Sequence, residues 1–282
     1  MKKNDIAKSF LENNLTHFRC PTCHDKFVNL TDNGIVCPNN HNLDLSKKGS
    51  LHFINHKVSS EYDKDMLIAR RNIINFGLFD GILNEIANKL DANPKNILDV
   101  GCGEGTPLKI LLEKRENIDI GIGFDISKPG INLATDYNAA NKFYCVADLT
   151  QLPFTDQSFD VVVDLFSPSS YLEFNRVIKK GGHLIKIIPN SNYLIELRHL
   201  LYGENSNHSS YDNHKVLDLY LKNYPNSRVS NVTYTLNLPE NLSDDLILMT
   251  PMHWGKEANT KLSADQLSKI TVDVMVLDTK FV

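Results

Sequence analysis

Two pairs of potential metal ligands stand near the start of the chain. Cys20-Pro21-Thr22-Cys23 is a Cys-x-x-Cys turn, and Cys37-Pro38-Asn39-Asn40-His41 follows after thirteen intervening residues. Zinc takes four soft or borderline donors in a tetrahedron, and two tight turns offering two donors each supply them. The surrounding segment has few large apolar residues and needs a metal or another staple to fold. His24 is the rival for the fourth position, but it follows Cys23 directly and would leave the second turn with Cys37 alone; His41 fits better. A redox Cys-x-x-Cys should open a helix in a βαβ setting, and none is visible here. Cys20, Cys23, Cys37 and His41 together leave no open coordination position. They point to a structural zinc and away from metal catalysis.

A second constellation begins at Leu98-Asp99-Val100-Gly101-Cys102-Gly103-Glu104-Gly105. Glycines at this spacing let the backbone turn sharply between a strand and a helix and approach a ligand closely. The order is Gly-x-Gly-x-Gly, not the Gly-x-Gly-x-x-Gly of dinucleotide enzymes, which suggests S-adenosylmethionine as cofactor. Gly121-Ile122-Gly123-Phe124-Asp125 ends the next strand with an acid that could accept both ribose hydroxyls. Asp148, in Ala147-Asp148-Leu149, could accept the adenine amino group. Leu152-Pro153-Phe154 through Asp160 leads into a fourth strand. Asp99 is either a ligand or a brace for the glycine loop, and Cys102 reads as a small packed residue. NAD is the runner-up cofactor, since Asp125 would suit it too. The third glycine is misplaced for NAD, and no hydride-transfer pair is visible.

These residues need elements to hold them. Apolar runs predict strands at 96–100, 118–125, 143–147, 159–166 and 183–188, with helices near 106–115, 128–140 and 171–178, the last stopped by Gly181-Gly182. That alternation predicts an α/β fold: a Rossmann-like, mostly parallel, doubly wound sheet covered on both faces. Helices near 191–202 and 239–249 and strands near 228–237 and 272–281 complete it. Apolar spacing over 65–74 and 78–90 predicts helices broken by Gly77 and Gly81. The expected organisation is a zinc-ribbon-like domain at 1–56, a helical linker and first helix at 57–95, and a cofactor domain at 96–282. The larger domain is expected to have a separate core, and a chain beginning near Val58, which keeps the glycine loop, Asp125 and Asp148, is expected to bind the cofactor still.

The composition is that of a globular protein, with 282 residues, 41% hydrophobic and 23% charged. No stretch is long and apolar enough for a membrane span, and no export signal is read. Five cysteines without such a signal make a disulfide framework improbable and the cytoplasm the expected location. A net charge of −4 argues against nucleic-acid binding by the whole surface. Residues 1–60, with eight Lys and Arg against five Asp and Glu, form a basic front end that could bind a polyanion locally.

The combination resembles the bacterial 23S ribosomal RNA guanine-N1 methyltransferases, a family that includes tylosin-resistance methyltransferases. The resemblance runs in order through Cys20-x-x-Cys23, Cys37-Pro38-x-x-His41, Asp44, Lys48-Gly49, Ala69-Arg70-Arg71, the glycine loop with Glu104, Leu152-Pro153-Phe154, Arg176 to Gly182, Leu194-x-Glu196-Leu197 and Leu248-Met249-Thr250-Pro251. It implies that the four Cys and His residues hold zinc and that Gly103 and Glu104 touch the cofactor. It also implies cofactor contacts from a tyrosine and a histidine, whose matching positions here are Phe79 and Tyr193. The fourth-strand exit departs too, reading Leu165-Phe166-Ser167-Pro168-Ser169 in place of an Ala-Pro-Cys type. These departures leave the cofactor reading intact and bear on the target nucleotide.

The expected reaction is methyl transfer to guanine N1 in a hairpin loop of 23S ribosomal RNA. Asp164, Ser167 and Pro168 are best placed at the carboxyl ends of the strands. Gly101, Gly103, Glu104, Asp99, Asp125 and Asp148, with Phe79 and Tyr193, are the expected cofactor residues. Lys47, Lys48, Lys57, Arg70 and Arg71 are candidate phosphate contacts, and a homodimer is left open. The alternatives are a small-molecule methyltransferase that uses the zinc domain as a lid or dimer contact, and a non-catalytic zinc module. An intact glycine loop with Asp125 and Asp148 speaks against the latter.

Overall fold

The computed structural model describes residues 2–54, 63–206, 209–250, 252 and 267–282. Lys57, Val58 and Pro251 lie outside them. Helix α1 (Lys3–Asn14) opens the chain, followed by an antiparallel three-stranded sheet of β1 (Asn29–Leu30), β2 (Gly34–Val36) and β3 (Asn42–Asp44). Helices α2 (Lys64–Phe76) and α3 (Asp80–Lys89) come next. The Asp63 side chain caps α2 by accepting from the Met66 N–H, and Gly77, at φ 116°, ends it. Gly81 lies inside α3 and does not break it; a Cβ there would meet the Tyr234 ring at 2.3 Å.

The large domain then alternates as expected: β4 (Asn96–Val100), α4 (Thr106–Lys114), β5 (Ile120–Asp125), α5 (Lys128–Ala134), β6 (Lys142–Val146), β7 (Phe159–Leu165), α6 (Tyr171–Val177) and β8 (Ile178–Pro189). After β8 come α7 (Ile195–Tyr202), α8 (His214–Asn223), β9 (Arg228–Asn237), α9 (Ser243–Leu248) and β10 (Lys269–Lys280). The seven strands run in the order β6-β5-β4-β7-β8-β10-β9; the first five are mutually parallel and the last two antiparallel. Three details differ from the sequence reading. Gly181 and Gly182 do not stop a helix but lie inside β8, where Gly181 takes φ 82° beside a shift in the β7–β8 register. Helix α5 ends at Ala134, short of the expected 140, and passes into a 3-10 turn at Thr135–Tyr137. Helix α8 was not expected, although Val216, Leu217, Tyr220 and Leu221 recur at helical spacing and Leu217, Tyr220 and Leu221 pack on the core.

One sheet face is covered by α2, α3 and α4. The other is covered in part by the N-terminal segment, which corrects the expectation of a separate core. The Phe10 and Phe143 rings stack at 5.3 Å, and Phe18 meets Phe143 at 5.8 Å and Phe154 at 5.7 Å. The Phe53 N–H donates to the Val146 carbonyl at 2.8 Å and the Val146 N–H to the Leu51 carbonyl at 2.9 Å, so this segment runs along the β6 edge. No helix among the described residues is long and apolar enough to cross a membrane.

Candidate active site

The carboxyl ends of β4, β5, β6, β7 and β8 open into one cavity of about 660 Å³. Its inner wall is the loop between β4 and α4. Gly101 and Gly103 adopt φ 63° and 57°, which L side chains resist. A Cβ on Gly101 would fall 2.1 Å from the Ser167 Oγ, whereas one on Gly103 would face the cavity, with the Arg70 Nε at 3.9 Å as its nearest neighbour.

Asp125 ends β5 on the cavity wall. Its carboxylate accepts from the Gly103 N–H at 2.9 Å and the Ser127 N–H at 2.7 Å, which fixes its direction; burial pushes its pKa up. Asp148 also lines the wall, with one oxygen taken by the Thr150 N–H and hydroxyl at 2.8 and 2.7 Å. Ser167, Pro168 and Tyr193 face the same space, and burial raises the Tyr193 hydroxyl to about 12, so it stays neutral.

Four of the expected residues lie behind the wall. Asp99 is 2% exposed, and neither carboxyl oxygen has a hydrogen-bond partner. Burial drives its pKa well up, against the opposing influence of Arg70. Glu104 is fully buried, accepting from the Thr106 hydroxyl at 2.5 Å and the Arg71 Nε at 3.2 Å, and is not on the cavity surface. Phe79 is buried one layer back, 5.5 Å from the Phe166 ring, which does line the cavity and itself sits 5.2 Å from Tyr193. Asp164 corrects the catalytic reading: it is fully buried and held by the Lys186 ammonium at 2.8 Å, the Ser169 hydroxyl at 2.8 Å and the Ser167 N–H at 3.1 Å. A carboxylate buried and held in this way braces the strand exit and is not on the cavity surface. Lys186 also donates to the Ser167 carbonyl at 2.7 Å, tying the exit loop down.

The candidate phosphate contacts separate. Arg71 is saturated by Glu104, Asp136 and the Leu133 carbonyl. Arg70 points into the cavity and not outward, and only Lys47 and Lys48 remain on the outer surface of the described residues. The sequence reading missed Arg70 as a cavity residue, and also Arg198, Met66 and Leu67, which line it too. A helical face shared by Met66, Leu67 and Arg70 was the available signal.

In the N-terminal module, the ligand atoms of Cys20, Cys23, Cys37 and His41 all lie within 4.8 Å of one another. The His41 Nδ1 is 3.5 Å from the Sγ of Cys20 and of Cys37, and the Cys23 and Cys37 sulfurs are 3.7 Å apart. A tetrahedron with zinc–sulfur bonds of about 2.3 Å and zinc–nitrogen bonds of about 2.0 Å has edges near these values. His24 is outside the group.

A methyltransferase-domain family matches residues 91–241. A Bacillus subtilis (strain 168) protein described as a 23S rRNA (guanine-N(1)-)-methyltransferase is 36% identical over 272 residues, covering 92% of this chain and 95% of that protein. The 23S rRNA (guanine(748)-N(1))-methyltransferase of Streptomyces fradiae is 26% identical over 193 residues, covering 66% of this chain and 68% of that protein. Among solved structures, a Haemonchus contortus phosphoethanolamine N-methyltransferase 2 in complex with phosphomonomethylethanolamine and S-adenosylhomocysteine aligns with a TM-score of 0.51 at 14% identity, over 79% of this chain and 58% of that one, a likeness of fold alone.

Proposed function

We propose, from the premise that this chain belongs to the 23S ribosomal RNA guanine-N1 methyltransferases, that it methylates N1 of a guanine in a 23S ribosomal RNA hairpin loop, with S-adenosylmethionine as methyl donor. The observation that carries the reading is the cavity. It joins a backbone-lined glycine loop to a clamped carboxylate at Asp125, and just behind that wall lies the buried Asp99 carboxyl, whose two oxygens have no partner. An unpartnered buried carboxylate is costly unless a cation or donor meets it. A cofactor with a ribose diol, an ammonium and a sulfonium suits that set. When bound, it supplies an electrophilic methyl group.

In this reading Asp125 takes the ribose hydroxyls, Asp148 the adenine edge, and Gly103 leaves room for the amino-acid tail, while Gly101 lets the loop close on Ser167. Tyr193 and Phe166 form an aromatic wall at the outer end, a surface on which a splayed-out base can stack. Ser167 and Pro168 hold the edge of that base, with their loop fixed by Asp164 and Lys186. Positioning supplies much of the rate, because the nitrogen must approach the methyl group in line. Glu104 and Phe79 support the loop and wall from behind.

The N-terminal cluster holds one structural zinc, and the module around it recognises RNA, with Lys47 and Lys48 meeting phosphates. The test of the whole reading is incubation of the protein with labelled cofactor and 23S ribosomal RNA lacking the modification. Label should enter the RNA, and reverse transcription should stop at one guanine, since a methyl group on N1 blocks base pairing. Absence of label from RNA, with transfer to a small molecule, would refute it.

A further inference from the structure

The two adjacent arginines of α2 have opposite surroundings. Arg71 is held by Glu104, Asp136 and the carbonyls of Glu104 and Leu133, and its guanidinium lies over the Tyr137 ring at 4.7 Å. Arg70 makes no hydrogen bond or ion pair to any described residue. Its guanidinium rests 5.5 Å from the centre of the Phe79 ring and is on the cavity wall. The ring is itself fixed against Phe166. Arg70 is therefore a positioned cation with its hydrogen-bonding edge unused.

Its neighbours say what kind of anion it awaits. It is the nearest side chain to the open side of Gly103, and it exerts an opposing charge on Asp99, Glu104 and Asp125, although no oxygen of these three lies within ion-pair distance. A guanidinium among three carboxylates that it does not contact leaves a gap for a small ligand bearing both charges. Asp125 and Asp148 lie on the β5 and β6 side of the cavity, and Arg70 lies on the α2 side, across the glycine loop. A ligand with its ribose at Asp125 must run its tail past Gly103 toward Arg70.

We infer that Arg70 binds the carboxylate of the cofactor's amino-acid tail, with Phe79 as the ring that aims it, so that Phe79 acts through Arg70 and does not touch the cofactor. The inference rests on the cofactor reading of this cavity. Arginine suits the role because its planar fork meets a carboxylate through two parallel hydrogen bonds.

The test is a calorimetric cycle on the full chain, with S-adenosylmethionine and its decarboxylated form as ligands. The unaltered protein should bind the carboxylate-bearing ligand about 10- to 100-fold more tightly. Arg70→Met should bring the two affinities together by weakening only the first, and Arg70→Lys should restore part of the difference. Thermal unfolding of each variant reports whether it is folded. If Arg70→Met binds both ligands as the unaltered protein does, or weakens both equally, the inference is overturned. If the unaltered protein binds neither, the cofactor reading falls and this inference falls with it.

Discussion

Asp99 and Asp164 show how the same residue type takes opposite roles under burial. Both are fully or almost fully buried at strand ends, and both have raised pKa values caused first by desolvation. Asp164 has Lys186 at 2.8 Å, whereas Asp99 has no partner. For Asp99 the consequence for stability has a definite sign. Below the ordinary carboxylate range both the folded and unfolded forms are protonated. As pH rises through that range the unfolded chain releases its proton first, so the ligand-free fold loses stability until the raised folded pKa is passed. Asp99→Asn should therefore stabilise the ligand-free protein by about 1–2 kcal/mol at pH 7 and give no gain at pH 3, while weakening cofactor binding. Denaturant unfolding at the two pH values checks this; a variant less stable at pH 7 contradicts it. Asp164→Leu should instead cost about 3–5 kcal/mol by stranding Lys186, and adding Lys186→Met should recover most of the loss. Asp125→Ala should weaken S-adenosylhomocysteine binding by roughly 10- to 100-fold, equivalent to about 1.5–3 kcal/mol, because a charged acceptor already aimed by two backbone N–H groups is removed. Calorimetry showing unchanged affinity would exclude the ribose role.

At the scale of elements, the N-terminal module is a layer of the large domain. Leu51 and Phe53 bond to both sides of Val146, two residues before Asp148 on the cavity wall. Phe10, Phe18 and Phe53 belong to one apolar cluster with Phe124, Phe143 and Phe154. Removing zinc should then lower the unfolding temperature of the whole molecule in one transition and also weaken S-adenosylhomocysteine binding. Two separated calorimetric transitions, with cofactor affinity intact after chelation, would show that the layer is not coupled. A chain beginning near Val58 should expose Phe143 and Phe154 and aggregate on size-exclusion chromatography, because several buried aromatic rings lose their cover at once.

For the whole molecule, the charges divide by location. Arg70 and Arg71, read along the sequence as one basic pair, are spent inside, one on the cavity and one on the glycine loop. Lys47 and Lys48 stay exposed on the N-terminal module. Replacing both by Gln should reduce the salt dependence of RNA binding, lowering the slope of log affinity against log salt by roughly 1 to 2, with cofactor affinity unchanged. An unchanged slope in filter binding at several salt concentrations would move the RNA contact elsewhere.

The sequence by itself determined what depends on short spacing and local periodicity. The four-ligand cluster is legible because two tight turns carry their own donors. The order of β4 to β8, the glycine loop and the acid at the end of β5 are legible because apolar strands and Gly-rich turns are local signals. Tertiary structure alone decided where burial and partners fall. Nothing around Asp164 along the chain announces Lys186, twenty-two residues away, because the pairing is made by β7 lying beside β8. The rotation of α2 sends Arg70 into the cavity and Arg71 behind it, a difference of one residue that only packing reveals. The N-terminal core merged with the sheet because its aromatic residues meet rings more than a hundred positions away, and such contacts leave no trace in local spacing.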